Sequence, residues 1–177
     1  MNAQTKLFFG VDPAVGPEQS FGAMLSPCRR YRWRLWRVWD PSKPKVVWVM
    51  LNPSVADAHA DDATIRRCVG FAKQWGYGGI VVVNLFALIS TDPKGLLGES
   101  NAIGRPENIE HIYAVIDDAP GLIVAAWGNN VPKGYEHHEE SIISILRGRG
   151  AQCLGLTNSG RPKHPLRLNY NMKLRAL

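Results

Sequence analysis

The sequence predicts a three-layer α/β/α sandwich: a central, mostly parallel four-stranded sheet with an added N-terminal edge strand. Three observations predict it. Short apolar runs rich in Val and Ile recur along the chain, amphipathic helical stretches lie between them, and the two kinds of segment alternate strictly. The chain has 177 residues, 45% hydrophobic and 20% charged, which suits one domain spanning residues 1–177 with a core over about 30–168.

Each element has its own warrant. Phe8–Ser20 is rich in Gly and Pro and reads as a surface loop. In Tyr31–Trp39 (YRWRLWRVW), aromatic and aliphatic residues alternate with arginines, the pattern of a strand with one wetter face. Pro41 and Pro44 then break the chain. Four apolar runs follow: Val46–Leu51, Ile80–Leu85, Leu122–Trp127 and Cys153–Leu156. The first three are nearly continuous, as befits strands covered on both faces. Between them, Thr64–Trp75 repeats Ile65, Cys68, Val69 and Ala72 at helical spacing behind Asp61 and Asp62, which favour a helix start. Pro106–Asp118 opens with proline, a first-turn residue, and repeats Ile109, Ile112, Val115 and Ile116. Glu139–Arg147 repeats Ile142, Ile143, Ile145 and Leu146 and stops at Gly148.

Composition narrows the function. Cys28, Cys68 and Cys153 are an odd, scattered set with no CxxC spacing, so a disulfide framework, a structural zinc site and an iron–sulfur cluster are poor readings. The opening residues lack a basic start followed by a long apolar run, and no transmembrane-length stretch occurs, so a cytoplasmic, monomeric protein without a membrane partner is expected. Net charge is +6 and uneven. From Ser141 onward there is no acidic residue and the segment carries +7, whereas the first 140 residues sum to −1. Arg29, Arg30, Arg32, Arg34 and Arg37 form a second basic cluster. A polyanion such as nucleic acid fits this asymmetry; a merely soluble basic surface is the other reading.

In parallel α/β sheets, ligands bind beyond the carboxyl ends of the strands. Four polar clusters stand there: Asn52-Pro53-Ser54 with Asp57, His59, Asp61 and Asp62; Asn84 with Thr91 and Asp92; Trp127-Gly128-Asn129-Asn130; and Thr157–Gly160 running into Arg161-Pro162-Lys163-His164-Pro165-Leu166. Asn84, within VVVNLFA, is either a structural amide or a donor–acceptor pair for the edge of a pyrimidine. Asn52 either starts a turn or positions a water. His164 is either a plain loop histidine or a donor to a leaving group. Leu166, flanked by cations, either folds inward or forms a wedge into a base stack. Asp57, Asp61 and Asp62 would suit a helix cap, a general base or Mg²⁺.

MLNPSVADAHADDATIRRC, GGIVVVNLFAL, VAAWG and LGLTNSGRPKHPL together closely resemble the DUF1643 proteins, a bacterial and phage family of unknown function. The layout is also similar, more distantly, to the uracil-DNA glycosylase superfamily. LNPS at Leu51–Ser54 resembles that superfamily's motif after the first core strand. Asn84 resembles its base-reading asparagine. His164-Pro165 resembles its His-Pro-Ser loop, with Leu166 near the wedge position. Leu51 replaces the usual glycine, the loop reads HPL, the base-stacking aromatic has no counterpart and the four cluster-binding cysteines are absent.

This resemblance implies a uracil-DNA glycosylase-like fold and a DNA glycosylase-like hydrolase, without cofactor or metal, that cleaves the N-glycosidic bond of a flipped, modified pyrimidine. Asn52 would position the attacking water, with Asp57 assisting. His164 would stabilise the departing base. Ser54, Asn84, Trp127 and Leu166 would contact the substrate, and Arg161, Lys163 and Arg167 the DNA phosphates. The competing readings are a DNA or modified-base binder that does not cut, and a Mg²⁺-dependent nuclease built on Asp57, Asp61 and Asp62.

Overall fold

The computed structural model describes residues 20–54, 60–119 and 121–177. Seven strands form one mixed sheet: β1 (Ser20–Leu25), β2 (Arg32–Val38), β3 (Lys45–Met50), β4 (Gly79–Asn84), β5 (Ile123–Ala125), β6 (Gln152–Cys153) and β7 (Arg175–Ala176). Their spatial order is β1-β2-β4-β3-β5-β6-β7. The four middle strands, β4, β3, β5 and β6, run parallel, and antiparallel strands flank them on both sides.

The parallel core falls on the four apolar runs, because a strand covered on both faces needs apolar side chains at odd and even positions alike. Two expectations are corrected. The sheet has seven strands, and the segment expected at its edge, β2, lies one place in, paired with β4 on one side and β1 on the other. Most of the expected Phe8–Ser20 loop lies outside the described residues, and Ser20 opens β1.

Three helices carry the expected apolar stripes: α1 (Ala63–Gln74), α2 (Glu107–Asp117) and α3 (Glu136–Gly148). Asp62 caps α1, its Oδ1 accepting the Ile65 N–H at 2.7 Å. Beyond its last turn Gly76 adopts φ +82°, the left-handed conformation that glycine supplies cheaply after a helix. Pro106 sits just before the first turn of α2, and α3 starts three residues earlier than its stripe suggests, so Glu136 and Glu139 occupy its first turn. The glutamates complement the helix dipole, as Glu107 and Glu110 do in the first turn of α2.

The pleat sorts the core into two clusters. Val46, Trp48, Met50, Ile80 and Val82 pack with Ile65, Cys68, Phe71 and Ala72 of α1. Their strand neighbours Val47, Val49, Val81 and Val83 pack with Ile112, Val115 and Ile116 of α2 and Ile142 and Leu146 of α3. Helices therefore cover both faces. Each fully buried aliphatic side chain contributes about 1.5–3 kcal/mol.

The C-terminal segment lies over the α1 side, where Leu168, Tyr170, Met172 and Leu174 pack on the same cluster. Gly70 gives Tyr170 its seat, since a Cβ there would meet the tyrosine hydroxyl at 2.3 Å. The Arg67 guanidinium stacks 3.8 Å from the Tyr170 ring. The loop carrying His164 is thus anchored against α1. Cys28 is exposed, Cys68 and Cys153 are buried, and all three are free thiols.

Candidate functional site

The carboxyl ends of β3, β4 and β5 and the loop after β6 meet around a cavity of about 390 Å³. That volume falls within the roughly 300–1,000 Å³ of small-molecule sites. Asn52, Ser54, Asn84, Trp127, His164, Leu166 and Arg167 all line it. Arg161 and Lys163 stand on the same loop outside the lining, and Asp57 lies outside the described residues.

Asn84 ends β4 and is 2% exposed. No hydrogen bond joins its carboxamide to another described residue, while its main-chain carbonyl accepts from Asn108 Nδ2 at 3.0 Å. Asn108, itself 0% exposed, also reaches the Leu85 carbonyl at 3.4 Å, and His138 Nε2 meets that carbonyl at 2.8 Å. The backbone at the end of β4 is clamped, so the direction of the Asn84 side chain is set. A carboxamide kept dry without a partner carries a desolvation cost that a ligand's imide or amide edge would offset.

Asn52 spends its donors on the loops. Its amide nitrogen donates to the Ser90 carbonyl at 2.9 Å and the Pro53 carbonyl at 3.1 Å. This bridge ties the loop after β3 to the loop after β4 and leaves Oδ1 as the atom with acceptor capacity.

His164 is held from its own backbone, with Nδ1 accepting the Leu166 N–H at 3.3 Å. That bond assigns the proton of the neutral ring to Nε2. Burial pushes the imidazole below the usual histidine range, against the pull of the Asp62 carboxylate. The neutral donor form is therefore favoured at pH 7. The loop lies close to Gly128, which has φ +74° and sits 3.2 Å, measured from its missing Cβ, from His164 Cβ. The Gly128 N–H also donates to the Pro162 carbonyl at 2.8 Å. A larger residue at Gly128 would be strained and would push the histidine.

Two expected ligand contacts have structural posts. Trp127 is 1% exposed, and its indole Nε1 donates to Glu139 Oε1 at 2.8 Å. The Arg161 guanidinium grips the same carboxylate, Nε at 2.9 and 3.0 Å and a terminal nitrogen at 2.8 Å. This Trp127–Glu139–Arg161 set fastens the rim of β5 and the His164 loop to α3. Leu166 is 41% exposed at the cavity mouth, with Arg167 beside it.

The aspartates are accounted for in the same way. Asp62 accepts from Ile65 on one oxygen and from the Ser54 hydroxyl on the other. Asp61 pairs with Arg37 at 2.8 Å. Helix capping and ion pairing employ both carboxylates, and among the described residues no cluster of three or more acidic, His or Cys side chains stands ready for a metal.

One charged lining residue stands outside the four polar clusters and the DNA contacts expected from the sequence. Arg32, placed there in a basic surface cluster, is 3% exposed and faces the cavity. The register explains it: Met24 pairs with Arg34 but Leu25 with Arg32, so Trp33 is an extra residue bulged out of β2. Leu35 points to the α1 side, and simple alternation would send Arg32 the opposite way. The bulge reverses that, a device found beside functional sites. Burial lowers the Arg32 guanidinium to about 10, partly offset by Asp62, so it is charged at neutral pH. Arg34 is also buried, at 4%, so the arginine-rich strand is not the wetter surface its alternation suggests.

Among the described residues, no helix is long and apolar enough to cross a membrane. Neither the curated proteins nor the solved structures contain a match to this chain. A family model described as "Protein of unknown function (DUF1643)" matches residues 32–166, an interval that opens at Arg32 and closes at Leu166, both on the cavity wall. The chain belongs to the DUF1643 family.

Proposed function

We propose that the protein is a DNA glycosylase-like hydrolase, a three-layer sandwich of the uracil-DNA glycosylase type, acting on a flipped, modified pyrimidine in DNA. One observation carries the reading. Asn52, Asn84 and His164, distant in sequence, line a single cavity at the carboxyl ends of the parallel strands, and the Asn84 carboxamide faces it nearly dry.

In this reading Asn84 reads the base edge. Asn52 Oδ1 accepts a hydrogen bond from the attacking water. The water oxygen bonds to the anomeric carbon as the glycosidic bond breaks, the electron pair of that bond leaves with the base, and the proton the water sheds ends on the departing base anion. His164 Nε2–H meets the oxygen on which that charge builds, the role of an oxyanion-hole donor. Base flipping costs a few kcal/mol, and Leu166 would fill the vacated stack. Lys163 and Arg167 would hold the flanking phosphates while Arg161 keeps the loop in place.

The test is incubation with DNA carrying assorted modified pyrimidines, with mass spectrometry for free base. Parent protein should release a base, and His164→Ala should be about 10²–10³ slower. Asn52→Ala should also be slower. If both variants release base at the parent rate, the roles are wrong.

A second reading, base recognition without cleavage, also has support. Among the described lining residues Asp62 is the one carboxylate, and its oxygens accept from the Ile65 N–H and the Ser54 hydroxyl. Tight, salt-sensitive DNA binding with no released base would select it.

A further inference from the structure

The chain leaving β4 departs from regular sheet geometry where Asn84 stands. On one side it stays in step with β3: Leu85 and Phe86 donate their N–H groups to the Met50 and Leu51 carbonyls, each at 2.9 Å. On the other side the ladder with β2 runs to Leu35 opposite Val82, and pairing resumes at Tyr31 opposite Leu88. Between these two pairs β2 has three residues, Arg32 to Arg34, and the facing chain has five, Val83 to Ala87. The two extra residues must bow out of the ladder, as an extended bulge does. Asn84 and Leu85 lie in that bow.

Side chains from two helices hold it. Asn108 of α2 donates through Nδ2 to the Asn84 carbonyl at 3.0 Å and the Leu85 carbonyl at 3.4 Å. His138 of α3 meets the Leu85 carbonyl at 2.8 Å, and since a carbonyl accepts, Nε2 carries the proton. The Phe86 ring then meets Tyr135 and His138 of α3 edge-on, at 5.0 and 5.7 Å. Asn108 is 0% exposed, and its Oδ1 has no hydrogen-bond partner among the described residues. A leucine of similar size would avoid that desolvation cost. What the asparagine supplies instead is its donor. Neither Asn108 nor His138 lines the cavity, so both act from behind its wall.

We propose that Asn108 and His138 are positioning residues for base recognition: they stand in for the interrupted β2 ladder, hold the bow of β4 in place and aim the Asn84 carboxamide into the cavity. The inference rests on the base-binding reading for what Asn84 holds, and on these hydrogen bonds for how Asn84 is held.

The test uses the full chain and two readouts. One is the NMR signal of the Asn84 side-chain amide, assigned by its loss in Asn84→Leu. The other is affinity for thymidine and deoxycytidine by calorimetry. His138→Asn and His138→Gln form the central pair, because a glutamine amide reaches the place of Nε2 and an asparagine amide only that of Nδ1. His138→Asn should displace and broaden the Asn84 signal and weaken the better-bound nucleoside about tenfold. His138→Gln should keep both readouts close to those of the parent. Asn108→Leu should behave as His138→Asn does. A merely structural role would lower the unfolding temperature and leave both readouts of the folded protein unchanged. If either Asn108→Leu or His138→Asn does not fold, as judged by circular dichroism, the other decides.

An unchanged Asn84 signal and unchanged affinity in both variants overturn the positioning role and leave the base reading standing. A displaced signal with unchanged affinity also overturns it, as does equal loss in His138→Gln and His138→Asn. A displaced signal in a protein that binds neither nucleoside keeps the hold on Asn84 and removes the base reading.

Discussion

At the amino-terminal ends of β3, β4 and β5 the backbone packs against itself, whereas at their carboxyl ends it opens around a cavity. A Cβ on Gly78 would lie 1.9 Å from the Asp40 carbonyl oxygen, and one on Gly121 would lie 2.8 Å from that of Lys45. The Gly78 carbonyl accepts from both Trp39 and Asp40, each at 2.9 Å. At the other end stand a carboxamide with no hydrogen-bond partner among the described residues, a buried guanidinium and a half-buried imidazole. One end is organised for stability. The other keeps polar groups at the wall of a cavity, at a cost in stability.

Five measurements would break or sharpen this contrast. The largest effect is expected at the one strong fastening of the open end. Glu139→Ala leaves the Arg161 guanidinium, three-quarters buried, without its bidentate partner and frees the Trp127 indole N–H. Urea unfolding should show a loss of about 3 kcal/mol. A loss under about 1 kcal/mol would mean the open rim does not need that fastening.

At the closed end, Gly78→Ala should cost about 1–3 kcal/mol, because the obstructing atom is backbone and the turn from Asp40 to Pro44 must shift. Base release per folded molecule should not change. A large change in release would show that the two ends are coupled.

Acidification comes next. Burial lowers the affinity of His111, His138 and His164 for protons in the folded chain. Once pH falls below about 6.5 the unfolded chain binds more protons at these rings than the folded chain does. Stability present above about pH 6.5 is therefore lost as pH falls toward the folded-state values. Thermal unfolding temperatures should drop between pH 7 and pH 5, and less steeply in His164→Asn. A flat profile would place these rings in water.

Asn84→Leu should change stability by less than about 1 kcal/mol, or raise it, while abolishing ligand binding. Destabilisation by more than about 2 kcal/mol would make Asn84 a structural amide. The smallest effect on stability belongs to Leu166→Ala, within about 0.5 kcal/mol, since the side chain is 41% exposed. Its affinity for duplex DNA should nevertheless fall in a gel-shift titration.

How much of this could be read in advance depended on whether the signal was local. Ile65, Cys68 and Ala72 mark α1 by their spacing alone, and VVWVM marks β3 by continuous apolarity. β1 gave no such signal, because none of Phe21 to Leu25 is fully buried and a half-covered strand shows little contrast. β7, two residues long, is held by pairing with β6 rather than by its own pattern. Within the site, Asn52, Asn84 and His164 were legible because they follow strands whose ends must converge in a parallel sheet. Arg32 was not. Its alternation with Trp33 and Arg34 describes a regular strand, and a bulge inverts it without leaving a mark in the residue types. Arg161 read as a surface cation because its partner, Glu139, lies 22 residues away on α3.

The chain order of β2 to β6 and of the three helices came from the sequence alone, because apolar periodicity is written residue by residue. Which side chains share the cavity, which arginine faces it and which is tied down were decided only by tertiary structure. Those outcomes depend on register, on one extra residue in β2 and on ion pairs across the fold, and each is set by the whole chain closing on itself.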